Sequence, residues 1–124
     1  MKEFEVYRCK VCGNMVVLLK KGGGTLTCCG QSMEKLEANK VDASLEKHVP
    51  VVIREDGRIR VEVGSTLHPM IPEHYIEWIA LVAGDRVEFR YLEPGIDPIA
   101  EFDDAETGTV FEYCNIHGLW SKDF

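Results

Sequence analysis

The stretch VVIREDGRIRVEV, residues 51–63, decides the fold class of this chain. Two runs rich in β-branched residues flank the dipeptide Asp56-Gly57, which is typical of a tight hairpin turn. In the second run Ile59, Val61 and Val63 alternate with charged residues, so their side chains share one face of a strand. The stretch therefore predicts an antiparallel hairpin with one buried face.

Most of the chain after residue 37 continues this alternation of strands and turns. Residues 75–83 and 86–92 flank the turn dipeptide Gly84-Asp85, while the runs at 99–102 and 109–113 follow breaks at proline and glycine. Helical periodicity is nearly absent. The chain is predicted to be all-β, with a sandwich in its second part.

Residues 1–36 differ from the rest because they contain four of the five cysteines. The triplet Gly22-Gly23-Gly24 separates an apolar run at 15–19 from residues 25–27, which predicts a short hairpin built around a metal ion. Residues 37–46 are polar, lack a strong period and are interpreted as the linker and approach to the second unit. We expect two domains, residues 1–36 and residues 37–124.

The bulk composition limits the class of protein. With 45% apolar and 28% charged residues, the chain is ordinary for a soluble globular protein and has no apolar run of membrane-spanning length. A net charge of −7 argues against binding to nucleic acid, whose partners usually carry a basic face. The start of the chain lacks the apolar stretch of a secretory signal, so a cytoplasmic location is expected.

The cysteines favour metal binding over a disulfide framework, because their number is odd and two of them are adjacent. Cys9 and Cys12, separated by two residues, place two sulfur atoms on one side of a tetrahedral ion, and Cys28-Cys29 must close the other side. The spacing alone does not separate Zn²⁺ from iron. Because consecutive side chains of extended backbone point in opposite directions, we expect a distorted tetrahedron.

A second set of potential ligands comprises every histidine of the chain and the one remaining cysteine. These residues fall in loops or at strand ends: His48, His68, His74, Cys114 and His117. Five such ligands exceed what zinc normally accepts, and the set is too rich in nitrogen and sulfur for magnesium or calcium. Iron is the better candidate, and five ligands leave one coordination position for a small molecule.

These motifs resemble those of the desulfoferrodoxin family over nearly the whole chain. The cysteine pattern resembles the desulforedoxin module of that family. Four further motifs resemble those of the superoxide reductase domain of that family. They are Glu46-Lys47-His48-Val49-Pro50, His68-Pro69-Met70, Glu73-His74 and Cys114-Asn115-Ile116-His117-Gly118.

The resemblance implies a specific pair of iron sites. Cys9, Cys12, Cys28 and Cys29 would bind a rubredoxin-like iron, and the four histidines would form the equatorial plane of a square-pyramidal iron with Cys114 as its axial ligand. The second domain would be an immunoglobulin-like sandwich. The implied activity is superoxide reductase, which converts superoxide to hydrogen peroxide with electrons from rubredoxin or a similar donor, in a homodimer.

Two further residues receive catalytic roles. Because the chain carries a net charge of −7, an anionic substrate needs a local positive charge near the iron, and Lys47 is adjacent to the ligand His48. By resemblance, Glu46 occupies the sixth position of the oxidised iron and helps the product to leave. The alternative for each residue is an ordinary solvated side chain.

Rival functions make different demands on the same residues. A non-catalytic electron carrier or zinc-stabilised binding module would use the histidines for folding only. An iron oxygenase usually has two histidines and one carboxylate with several open positions, which five protein ligands do not leave. A dismutase needs no external electron donor, whereas the sulfur-rich module offers an electron route to a reductase.

Overall fold

The structure is a computed structural model that describes residues 3–40 and 48–124. The chain divides into two compact units, Glu3–Glu37 and a unit that starts at Ala38. All regular elements of the described residues are strands, so the predicted all-β class is confirmed. None of these residues forms a helix long and apolar enough to cross a membrane.

The first unit contains five short strands. These are β1 (Val6–Arg8), β2 (Met15–Val17), β3 (Thr27–Cys28), β4 (Gln31–Ser32) and β5 (Glu34–Lys35). They form a three-stranded sheet of order β2-β1-β5 and a separate β3-β4 hairpin. Among the described residues of this unit, the buried apolar side chains are Val6 and Cys9. So small a core leaves the unit dependent on another source of stability.

The triple glycine does not connect two paired strands, so that detail of the prediction was wrong. The run before it supplies β2, which pairs with β1, and the run after it leads into β3, which pairs with β4. Gly23 and Gly24 both adopt positive φ and their surroundings are open, so the segment is a wide loop rather than a hairpin turn. This loop brings Cys28 back towards the turn after β1.

The second unit is a sandwich of two antiparallel sheets. Its strands are β6 (Pro50–Glu55), β7 (Arg58–Val63), β8 (Ile76–Ala83), β9 (Arg86–Tyr91), β10 (Ile99–Asp103), β11 (Thr109–Cys114) and β12 (Gly118–Asp123). One sheet has the order β10-β7-β6 and the other β12-β11-β8-β9. The predicted β6-β7 and β8-β9 hairpins are confirmed. Asp56 and Gly57 both have positive φ, as the tight turn between β6 and β7 requires.

The core of the sandwich holds one of the predicted metal ligands. Ile59, Val61 and Val63 of β7 are completely buried, as their alternation predicted. They belong to one apolar cluster with residues of β8, β10 and β11, and this cluster includes Cys114. Because the core is close-packed, the sulfur atom at the end of β11 is held in a fixed place.

Gly108 precedes β11 at a place where the backbone leaves no room for a side chain. It exchanges two backbone hydrogen bonds with Phe124, at 3.1 and 2.9 Å. A Cβ atom at Gly108 would lie 2.6 Å from the carbonyl oxygen of Val82 and 3.0 Å from the Phe124 ring. Any larger residue must displace the backbone of β8.

We therefore expect Gly108→Ala to lower the free energy of unfolding of the sandwich by about 1–3 kcal/mol, the usual cost of overpacking. Denaturant unfolding followed by circular dichroism measures this change. Gly108→Val should destabilise further because the overlap grows with side-chain size. Equal unfolding midpoints for the wild type and Gly108→Ala would contradict the expectation.

Candidate metal centres

The four cysteines of the first unit converge on one point. The sulfur atoms of Cys9, Cys12, Cys28 and Cys29 all lie within 4.8 Å of one another. The distance from Cys12 Sγ to Cys28 Sγ is 3.6 Å, and from Cys28 Sγ to Cys29 Sγ it is 3.9 Å. A tetrahedral ion with metal–sulfur bonds of about 2.3 Å requires sulfur atoms about 3.8 Å apart. The spacing fits a four-thiolate metal site.

The backbone explains how two adjacent cysteines reach one ion. Cys29 adopts a φ of 52°, in the left-handed region that side chains rarely occupy, and Gly30 follows with a φ of 74°. These two residues form the turn between β3 and β4. The bend turns the Cys29 side chain to the same side as that of Cys28, which is the distortion that the adjacent cysteines predicted.

The thiols of this site differ in their tendency to ionise. The backbone N–H of Cys12 lies 3.5 Å from Cys9 Sγ and is the main cause that lowers the pKa of Cys9 to about 6. The hydrogen bond with the Cys12 side chain is the main cause that raises the pKa of Cys29 to about 12. Four thiolates this close repel one another, so a bound cation is needed before all can be deprotonated.

The four histidines of the second unit form a square. Neighbouring ring centroids lie 4.6 Å apart for His48–His68, 4.5 Å for His68–His74, 5.1 Å for His74–His117 and 4.7 Å for His48–His117. The diagonal from His48 to His74 measures 6.4 Å. The diagonal is clearly longer than every side, so the four rings surround a common centre where one ion could be held.

Cys114 completes this second set. Its Sγ lies 3.6 Å from His68 Nε2 and 3.8 Å from His117 Nδ1. His48 Nε2 and His117 Nδ1 are 3.0 Å apart, the separation expected of neighbouring nitrogens on an ion with bonds of about 2.1 Å. One potential ligand atom from each of the five residues lies within 4.8 Å of the others. The donor set thus fits an iron ion with one position left for a small molecule.

Different elements of the sandwich supply these ligands. His48 precedes β6, His68 and His74 lie in the connection from β7 to β8, and Cys114 ends β11. The pairing of β11 with β8 shifts register between Tyr113 and Cys114, a bulge that re-aims the end of the strand. His117 lies in the turn from β11 to β12, which Gly118 closes with a φ of 85°.

Hydrogen bonds and ring stacking orient the ligands. The Nδ1 atom of His68 lies 2.8 Å from the carbonyl oxygen of Pro69, which leaves Nε2 directed at the cysteine sulfur. Trp120 stacks on the His48 ring at 4.7 Å between centroids and 15° between planes. Its Nε1–H donates to the carbonyl oxygen of His117 at 3.1 Å. Such outer contacts fix ring orientation and tune the metal.

Burial distinguishes one side of the site from the other. His48, His68 and Cys114 are buried, His74 is half-buried and His117 is exposed. The site therefore reaches the surface on the His74 and His117 side. The predicted catalytic residues Glu46 and Lys47 lie outside the described residues.

Comparison with known proteins gives one family for both units. The model of the desulfoferrodoxin N-terminal domain matches residues 1–36, and the desulfoferrodoxin model matches residues 40–123. The desulfoferrodoxin of Clostridium acetobutylicum is 47% identical over 121 residues, covering 98% of this chain and 97% of that protein. A protein named superoxide reductase from Pyrococcus horikoshii is 39% identical over 98 residues, covering 63% of this chain and 85% of that protein.

A solved structure is similar over nearly all of the chain. The crystal structure of the superoxide reductase from Treponema pallidum superimposes with a TM-score of 0.81 and 28% identity, covering 97% of this chain and 98% of that one.

Proposed function

The chain belongs to the desulfoferrodoxin family, and from this premise we propose that it reduces superoxide to hydrogen peroxide at the site formed by the four histidines and Cys114. The observation that carries the proposal is the square of imidazoles with one thiolate beside it. Its cofactors are two iron ions, one held by the four cysteines of the first unit and one held here. We further propose that residues 1–36 and 37–124 act as separate domains around these two irons.

Iron held by His48, His68, His74, His117 and Cys114 would supply a one-electron redox couple. Cys114 would provide the anionic donor among these five residues, and its sulfur would raise the electron density at a bound metal. The Pro69 carbonyl and the Trp120 ring hold two of the imidazoles in place before substrate arrives. These contacts would keep His68 and His48 oriented towards a bound iron, so the residues themselves would need little rearrangement when it changes charge.

The stoichiometry of the reaction tests this activity. A reductase adds one electron and two protons to each superoxide, so each superoxide consumed yields one peroxide. A dismutase yields one peroxide for every two superoxide ions because the other is oxidised to oxygen. Superoxide supplied in several-fold excess over the protein, with an electron donor that keeps re-reducing it, followed by determination of both peroxide and dioxygen, separates these outcomes. The dismutase ratio would refute the proposal.

We propose Lys47 as the residue that attracts the anionic substrate. It is adjacent to the ligand His48 in the sequence, while the chain as a whole has a net charge of −7 and repels anions at long range. Glu46 is proposed to act at the same place by aiding release of the product. Both roles rest on the family resemblance and on sequence position.

Lys47→Ile is expected to slow the association of superoxide about tenfold or more at low salt, because a local positive charge can raise association rates by this amount. The dependence of the rate on ionic strength should fall as well, which stopped-flow or pulse-radiolysis kinetics can measure. Lys20→Ile removes an exposed lysine of the first unit and serves as the matched control. Equal rates and salt slopes in the Lys47 and Lys20 variants would remove this role.

The partners are proposed from the same resemblance. The electron donor is rubredoxin or a similar small carrier, and the protein acts as a homodimer in the cytoplasm. Sedimentation equilibrium of the iron-loaded protein tests the dimer.

A further inference from the structure

The backbone on both sides of His74 is held by one side chain, that of Asn115. The backbone N–H of Tyr75 donates to Asn115 Oδ1 at 3.0 Å, and Asn115 Nδ2 donates to the carbonyl oxygen of Glu73 at 3.1 Å. The backbone N–H of Asn115 also donates to the carbonyl oxygen of Tyr75 at 3.2 Å. Asn115 therefore brackets His74 from the residue before it and the residue after it.

The backbone N–H and carbonyl oxygen of His74 itself form hydrogen bonds within the turn that contains it. The N–H of His74 donates to the carbonyl oxygen of Ile71 at 3.0 Å, and the N–H of Ile71 donates to the carbonyl oxygen of His74 at 3.1 Å. The turn carries the half-buried His74 towards His68 and His117. The hydrogen bonds of Asn115 connect this turn to the segment that holds Cys114 and His117.

We propose that Asn115 is a positioning residue that holds His74 in its ligating orientation and thereby sets the metal affinity and the electronic structure of the second site. The amide has the chemistry that this bracket needs, because it offers an acceptor to Tyr75 and a donor to Glu73 in one planar group. Aspartate retains only the acceptor, and alanine retains neither. The inference rests on the proposed metal site and does not depend on the reaction catalysed there.

The test compares Asn115→Ala and Asn115→Asp with the wild type, using the iron-loaded full-length protein. Excess chelator is added, and loss of iron from the second site is followed through its thiolate-to-iron charge-transfer band. Loss of an outer-shell partner typically costs 10–100-fold in metal affinity, so Asn115→Ala should release iron about 10-fold to 100-fold faster. Asn115→Asp should fall between alanine and the wild type. The ferric electron paramagnetic resonance signal should change in the same order.

Asn39→Ala is the matched control, because Asn39 Nδ2 donates to the carbonyl oxygen of Leu119 at 3.4 Å in the same unit. It should retain the wild-type release rate and resonance signal. Wild-type behaviour in both Asn115 variants would overturn the inference, as would equal changes in Asn115→Ala and Asn39→Ala. If the alanine variant does not fold, the aspartate variant decides alone.

The outcome also separates this inference from the proposed activity. A wild-type protein that binds iron at the second site but does not reduce superoxide would refute the activity, while the graded release rates would still support Asn115. A wild-type second site that binds no iron would overturn both.

Discussion

Cys114→Ser should reduce the rate of superoxide reduction by more than about 100-fold while the sandwich stays folded. Loss of a group that only hydrogen-bonds a metal ligand typically lowers metal affinity or activity 10–100-fold, and this change removes a ligand itself. Cys114 Sγ lies within 3.8 Å of two of the histidine nitrogens, and the residue is completely buried. Serine replaces only the sulfur atom, so the apolar packing around β11 is largely kept, but a hydroxyl is a poor substitute for a thiolate.

Two measurements check this result. The thiolate-to-iron charge-transfer band of the second site should disappear, and rapid mixing with superoxide should show the slower reaction. Circular dichroism should retain the strand signal of the wild type. Cys12→Ser, the same chemical change at the other site, should leave the band of the second site in place. A Cys114→Ser protein that reacts within about twofold of the wild-type rate would contradict the assignment, given the typical cost of such losses.

The local strand pattern of the sandwich could be predicted from the sequence. Alternation in residues 58–63 placed Ile59, Val61 and Val63 on one face, and the turn at Asp56-Gly57 set the hairpin. The pairing of β10 with β7 and of β11 with β8 could not be read in this way. Such pairings join distant parts of the chain, and they depend on how both sheets pack together.

The ligands could be predicted because their chemistry is rare. The chain has four histidines and one cysteine beyond the first unit, and the structure gathers all five. Trp120 and Asn115 were not predicted to support the site. Tryptophan and asparagine occur in many roles, and these two act through backbone carbonyls and ring stacking that appear only when β12 and the His74 turn are in place.

The pairing around the triple glycine failed for a related reason. A glycine triplet between two apolar runs resembles a hairpin turn. Because glycine adopts many backbone conformations, however, the triplet does not determine which strands pair on either side of it. The observed pairing places Cys28 and Cys29 beside Cys9 and Cys12, which lie far from them in the sequence. Local turn propensity does not encode such a long-range arrangement.

Removal of the metal from the four-cysteine site is expected to unfold residues 3–37 and leave the sandwich intact. This unit is shorter than the roughly 40 residues below which domains usually need a metal, a disulfide or a partner. Its described residues bury only Val6 and Cys9 as apolar side chains, whereas the sandwich has a core that spans both sheets. Metal binding at thiolate sites contributes on the order of 10 kcal/mol to folding, far more than two side chains can supply.

Hydrogen exchange resolves the two units in one experiment. In the metal-free protein, amide protection of β1 and β2 should be lost, while that of β7 and β8 should persist because these strands enclose the apolar cluster. The double variant Cys12→Ser/Cys29→Ser should show the same pattern even when metal is supplied, because only two of the four thiolate ligands remain. Protected amides in β1 of the metal-free chain would show that strand pairing alone holds the unit, and the metal would then serve electron transfer without being needed for folding.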